Sequence, residues 1–232
     1  MRHMHALTTA QTLSVTPLTA DPERTYSNEA SLEHRRRFGQ FFTPPKLAEL
    51  MADWVMSIHP LRVLDPAFGT GMLTAACVAR DGATRFTAYE TDPVVMQHAR
   101  RFDRLALNHA DFLAAEVQGS YDGIVMNPPY IRHREIKGYI AERQLISHRA
   151  RCVIPRSANL YVYFTVKALS MLAPGGRASV LIPAEWMSAN FARTFKEYLL
   201  RDRLLKEVIL FSNCSNVFDD ALTTASVLLC EK

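Results

Sequence analysis

The sequence predicts a doubly wound α/β fold, and three features of its 232 residues carry that prediction. Short apolar runs alternate with stretches of helical periodicity, as strands and helices do around a mostly parallel sheet. A strand, a glycine turn and a helix follow one another over residues 61–80, the corner at which such sheets hold nucleotide-like ligands. Two apolar runs close the chain with no helix between them, so the last strand pair is expected to be antiparallel.

The elements follow in order. Pro44-Pro45 opens a helix over 44–58, with Leu47, Leu50, Met51, Trp54 and Val55 spaced as a core stripe. Strands are expected at 61–64, 85–89, 105–111 and 121–126, with a helix over 72–80 and another starting at Pro93. Residues 159–172 read as a helix ended by Pro174-Gly-Gly176. A fifth strand at 177–182, a helix at 190–200 and the closing strands 204–211 and 223–230 bring the sheet to seven. Trp186 is assigned to the core. Residues 1–26, rich in Thr, Ala and Ser, are expected to be a flexible extension before a single folded domain spanning 27–232.

Composition narrows the class. Cys77, Cys152, Cys214 and Cys230 are scattered, which implies neither a disulfide framework nor a metal site, and reduced cytoplasmic thiols are expected. No apolar run reaches membrane-spanning length, and the start lacks a signal-peptide layout. Positive charge is concentrated: residues 131–158 hold seven cations against two acids, a net +5 that exceeds the +4 of the whole chain. Arg132, Arg134 and Arg151 belong to this segment, which is placed to grip phosphates. Arg35-Arg36-Arg37 forms a second cluster.

Two motifs carry chemistry. Asn127-Pro128-Pro129-Tyr130 follows the apolar run 121–126. Two prolines fix φ and remove two backbone donors, so carbonyls here can serve as acceptors. Asn127 adds an amide oxygen and Tyr130 a flat amphipathic ring. Together they can hold a planar NH2 group by two acceptors and one stacking face. The second motif, Asp65-Pro66-Ala67-Phe-Gly69-Thr-Gly71, follows the first strand. Its glycines let backbone approach a ligand. Its spacing differs from both G-x-G-x-x-G and the phosphate loop. The acid at the strand end suits a cationic group, such as the α-amino group of S-adenosyl-L-methionine. About twenty residues on, Glu90-Thr91 stands where a ribose-binding acid is required. Asp111, at the next strand end, could accept from an adenine amino group, with Phe112 packed on the ring.

The chain resembles the gamma-class N6-adenine DNA methyltransferases of restriction–modification systems over residues 31–232. Gly39-Gln-Phe-Phe-Thr43-Pro44, the Asp65–Gly71 element and Asn127-Pro-Pro-Tyr130 occur in that family's order. The resemblance implies a Rossmann-like, seven-stranded S-adenosylmethionine-dependent methyltransferase sheet with an antiparallel terminal hairpin. It implies that Thr43 contacts the cofactor's carboxylate, that residues 65–71 wrap its methionine half, that Glu90 binds ribose, and that Asp111 and Phe112 hold adenine. It also implies a second aromatic wall at Phe218, facing Tyr130 across a base extruded from double-stranded DNA. Gamma-class enzymes continue into a target-recognition domain, so a downstream domain or a specificity partner is expected. The tetrapeptide also fits methylation of RNA adenine, of a protein glutamine amide or of cytosine N4. A non-catalytic DNA-binding subunit with a relic cofactor pocket is the reading of a different class.

Overall fold

The computed structural model describes residues 21–136, 138–201, 203–211 and 224–232. Seven strands form one sheet in the order β3-β2-β1-β4-β5-β7-β6. These are β1 (Arg62–Asp65), β2 (Arg85–Glu90), β3 (Leu105–His109), β4 (Tyr121–Met126), β5 (Leu172–Pro183), β6 (Leu205–Phe211) and β7 (Ala225–Glu231). The first five run parallel. β7 inserts antiparallel between β5 and β6, as the missing crossover helix requires. Strand order reverses between β1 and β4, and ligands of such sheets sit outside the strand ends at that switch point.

Alternation along the strands builds two cores. Val63, Phe86, Val125, Leu181, Val227 and Leu229 face α3 (Pro45–Met56) and α4 (Met72–Val78). Their neighbours Leu64, Ile124, Met126, Val180, Ile182, Leu228 and Cys230 face α6 (Ile140–Ala150), α7 (Leu160–Ser170) and α8 (Arg193–Arg201). A strand buried on both faces needs apolar side chains at every position, which is why these strands read as continuous apolar runs. In α3, Pro45 sits in the first turn, and Leu47, Ala48, Met51, Ala52, Val55 and Met56 form the buried stripe. Trp186 is 4% exposed, in agreement with its core assignment.

The expected domain boundary moves. Residues 21–26, predicted to be part of the flexible extension, belong to α1 (Asp21–Glu29), followed by α2 (Leu32–Phe38). Polar composition concealed this helix, because it docks by buried polar contacts: Glu23 and Tyr26 are its only buried residues. β5 also starts earlier than predicted, running through the Pro174-Gly-Gly176 stop and absorbing it with a register shift between Tyr121 and Gly123 on β4. The basic segment contains a helix the pattern did not announce, α6, preceded by a 3-10 turn over His133–Glu135. The short helix opened by Pro93 is α5 (Pro93–Gln97). No helix among the described residues is long and apolar enough to cross a membrane.

Candidate active site

The chain turns at the end of β1 through two glycines with positive φ. Gly71 lies at φ +89°, and a Cβ there would meet the Phe68 ring at 2.4 Å, so only glycine fits this corner. Asp65, the last residue of β1, is fully buried. Its Oδ2 accepts from the Thr74 hydroxyl at 2.9 Å, while Oδ1 is buried with no hydrogen-bond partner among the described residues. Burial pushes this carboxyl up to about 7, the Thr74 and Ala67 donors oppose the shift, and the nearby Glu90 charge adds to it. Such a group stays ionised best when a cation arrives beside it.

Glu90 ties two turns together. Its Oε2 accepts from the Gly69 N–H, and its Oε1 from the N–H groups of Thr91 and Asp92, each at 2.8 Å. Burial raises its carboxyl against the pull of these three donors. A cavity of about 100 Å³ lies between the turns, lined by Thr43, Ala67, Gly69, Glu90, Thr91, Asn127 and Pro129 of the predicted set. Its aromatic surface comes from Phe38, Phe41, Phe42, Phe68, Tyr89 and Phe164, to which motif reading gave no role.

The segment 39–44 crosses over this cavity onto the Asn127 tetrapeptide. Gly39 caps α2 at φ +63°, its carbonyl accepts from the Tyr130 N–H at 3.0 Å, and a Cβ there would lie 2.7 Å from that nitrogen. Asn127 donates its amide nitrogen to the Phe41 carbonyl at 2.5 Å and to Thr43 Oγ1 at 3.1 Å. A carbonyl can only accept, so this contact fixes which amide atom faces it and leaves Oδ1 as the acceptor on the other side. Thr43 is therefore brought to the cavity, but with its oxygen engaged by Asn127. Phe41 stacks on Tyr130 with ring centroids 5.1 Å apart and planes 28° off parallel.

A second cavity, about 600 Å³, opens beyond Tyr130 and is lined by Phe41, Arg132, Asn159, Tyr161, Glu185 and Met187 among others. Asn159 links its walls: its oxygen accepts from the His133 N–H at 3.0 Å, and its nitrogen donates to Glu185 Oε1 at 2.6 Å. Arg132 is thus placed at the tetrapeptide's exit, and Arg134 is exposed on the turn behind it. Arg151 lies apart, at the C-cap of α6, where its carbonyl accepts from Arg201 of α8 at 2.6 Å. Phe218 lies outside the described residues.

On the adenine side, Phe112 is buried. That ring is 1% exposed, packed in the core against Tyr89 and Phe164 at 5.6 Å from each, and it does not line the cavity. Asp111 Oδ1 accepts from the Leu113 N–H at 2.8 Å, closing a side-chain turn around Phe112. Lys167 then gathers the carbonyls of Phe112, Leu113 and Ala115 at 2.5–2.9 Å. Burial lowers its ammonium to about 8 against the pull of the Asp111 carboxylate. Asp111 Oδ2 accepts from the Tyr139 hydroxyl at 2.5 Å, and Asp65, Pro66, Gly71 and Asp111 are not part of the cavity lining.

This sheet order, with acids ending β1 and β2 around a glycine turn, is the architecture of the S-adenosylmethionine-dependent methyltransferases, and it defines the class and its cofactor. The residues present suit that cofactor: the Glu90 carboxylate lines the cavity and offers an acceptor for hydroxyls, while Asp65, buried beneath the same glycine turn, keeps one oxygen without a hydrogen-bond partner among the described residues. Comparison with known proteins then gives the family. The model for the Eco57I restriction-modification methylase matches residues 79–218, and the chain belongs to that family. The N-6 DNA Methylase model matches residues 25–85. The Type II methyltransferase M.AccI of Acinetobacter calcoaceticus is 35% identical over 90% of this chain and 39% of its own length. M.HincII of Haemophilus influenzae is 26% identical over 78% of this chain and 34% of its own length. The chain thus spans well under half the length of these relatives. Among solved structures, the type IIG restriction endonuclease BpuSI superposes with a TM-score of 0.63 at 16% identity, covering 83% of this chain and 26% of that one.

Proposed function

We propose that this domain transfers a methyl group from S-adenosylmethionine to N6 of an adenine in DNA, as the catalytic part of a restriction–modification methyltransferase. The observation that carries the reading is the orientation of Asn127. With its nitrogen engaged by Phe41 and Thr43, its oxygen is left to accept one N6 hydrogen, and the Pro128 carbonyl accepts the other. Adenine N6 is a poor nucleophile because its lone pair is delocalised into the ring. Two acceptors draw the hydrogens out of plane, free the lone pair and stabilise the positive charge that develops on nitrogen. The cofactor, when bound, supplies a methyl already activated on a sulfonium. Tyr130 offers the stacking face, with Phe218 as its proposed counterpart, and the 600 Å³ cavity offers room for an extruded base. Asp65 is proposed to pair with the cofactor's ammonium, Glu90 to hold its ribose, and Asp111 to meet its adenine.

DNA is favoured over RNA adenine and protein glutamine by the family models and by the cations at the tetrapeptide's exit. A downstream domain or a partner subunit is proposed to read the sequence, since phosphate contacts carry no sequence information. Incubation with methyl-labelled cofactor and separate pools of duplex DNA, RNA and release-factor-like protein tests the reading. Label in N6-methyladenine of DNA is expected, and label confined to RNA or to glutamine overturns it.

Two further outcomes follow. The folded-state carboxyl of Asp65 lies above the ordinary value of about 4, so the ligand-free protein binds the proton more tightly than the unfolded chain. Its contribution to stability therefore falls as pH rises from about 4 to about 7. Pairing with a cation needs the carboxylate, so affinity for S-adenosylhomocysteine should rise with pH through about 7. Calorimetry across this range should show that rise in the native chain and a shallower one in Asp65→Asn, where only the raised Glu90 carboxyl still titrates. Replacing Arg132 and Arg134 with alanine should weaken duplex binding and reduce the slope of log affinity against log salt by about 2. Cofactor affinity should be unaffected, and an unchanged slope in a salt titration would remove both residues from the DNA contact.

A further inference from the structure

Helix α1 and the start of α2 lie outside the motifs that assign the cofactor, yet their buried polar side chains converge on two cofactor turns. Glu23 is 6% exposed and holds Arg100 through both carboxylate oxygens, with Nη1–Oε1 at 2.5 Å and Nη2–Oε2 at 3.1 Å. The same Oε1 accepts from the hydroxyl of Thr70, the residue between Gly69 and Gly71. Arg100 in turn donates its backbone N–H to the Thr70 carbonyl at 2.9 Å. Both polar groups of Thr70 are thereby held by one buried ion pair.

Asp92 is the second anchor and is fully buried. Its Oδ2 accepts from the Tyr26 hydroxyl at 2.9 Å, from His34 Nε2 at 2.8 Å and from Gln40 Nε2 at 2.8 Å. Its Oδ1 accepts from the Val94 N–H at 2.9 Å, and its own N–H donates to Glu90. Burial pushes this carboxyl up, but the hydrogen bonds from Gln40, His34, Val94 and Tyr26 outweigh burial and hold it below its ordinary value. Only an acceptor-only carboxylate satisfies all four donors at once. Tyr26 also sets its ring edge-on to Phe42 at 5.4 Å, and Phe42 lines the cofactor cavity.

We propose that Glu23 and Asp92 are positioning residues that fasten α1 and α2 as a strap across the cofactor cavity, pressing residues 39–43 onto the turns at 69–71 and 90–92. The inference rests on the cofactor assignment above. The cavity, about 100 Å³, is small beside the roughly 300–1,000 Å³ of ordinary ligand sites, so a ligand seated there would be in close contact with the strap. Neither anchor touches the methyl acceptor, so loosening the strap should weaken cofactor retention and spare the transfer step.

Hydrogen exchange of the 232-residue chain with and without S-adenosylhomocysteine tests this, together with Glu23→Gln and Tyr26→Phe. Tyr26→Phe removes one oxygen and keeps the ring on Phe42, so folding is preserved. Binding should slow exchange across residues 21–43. Each variant should raise the Kd for S-adenosylhomocysteine and the KM for S-adenosylmethionine by about tenfold, with kcat at saturating cofactor within about twofold. Wild-type affinity in both variants, or wild-type binding without protection of residues 21–43, overturns the strap and leaves the proposed function standing. Failure of the wild-type chain to bind S-adenosylhomocysteine at all would overturn both.

Discussion

Replacing Asn127 with alanine is expected to lower methyl transfer by roughly 10²–10³-fold or more, the usual cost of removing one preorganised polar partner from a reacting group. The substitution removes the amide oxygen proposed to accept from the target nitrogen, and it also frees the Phe41 carbonyl and Thr43 Oγ1 from their contacts. Those contacts belong to the wall shared with the cofactor, so S-adenosylhomocysteine affinity should fall by no more than a few-fold. Single-turnover transfer and calorimetry on the same preparation separate the two effects. If cofactor binding collapses along with transfer, Asn127 serves the cofactor and the acceptor role given to it is wrong.

Glu90→Ala is expected to have the largest effect on cofactor binding, roughly 100-fold in the Kd for S-adenosylhomocysteine, equivalent to about 3 kcal/mol. Three N–H groups lose their acceptor at once, so the turn at 69–71 and the turn at 90–92 come apart. The carboxylate proposed to hold the ribose is lost as well. Glu90→Gln keeps one acceptor oxygen and sets an NH2 against donors, so it should fall between alanine and the native residue. Adenosine should show the same ranking when titrated alone, because the effect resides in the ribose half of the ligand. Equal affinities across the series would move the cofactor away from this sheet edge.

What could be read from the sequence was whatever depends on local order. Strand runs, the glycine turn, Pro45 and the closing antiparallel pair are encoded over a few residues each, and the structure has them in place. Relations across the fold were not encoded in that way. Phe41 and Tyr130 stack although most of the sheet lies between them in sequence, and no spacing rule links them. Phe112, expected on a ligand wall beside Asp111, is packed between Tyr89 and Phe164, two rings that no local pattern ties to it. Helix α1 was missed because amphipathic patterning detects apolar faces, and α1 is held by an ion pair and a tyrosine hydroxyl. Asn159 and Glu185 could have been suspected as polar residues flanking the apolar runs of α7 and β5, but only the fold brings them together.

Strand β7 has one more consequence. Both tryptophans of the chain hydrogen-bond to it, Trp54 through the Cys230 carbonyl at 3.2 Å and Trp186 through the Ser226 hydroxyl at 3.0 Å. They report from opposite sides: Trp54 packs with the α3 core under the Arg177 guanidinium, and Trp186 with the α8 core beside the Glu185 turn. The protein therefore carries two intrinsic fluorophores anchored to one strand, of which one adjoins the larger cavity and the other lies behind the sheet. Paired Trp→Phe variants convert this arrangement into an optical ruler. Trp186, flanked in sequence by the cavity-lining Glu185 and Met187, is the one expected to respond to occupancy of the cavity, with Trp54 as the internal standard.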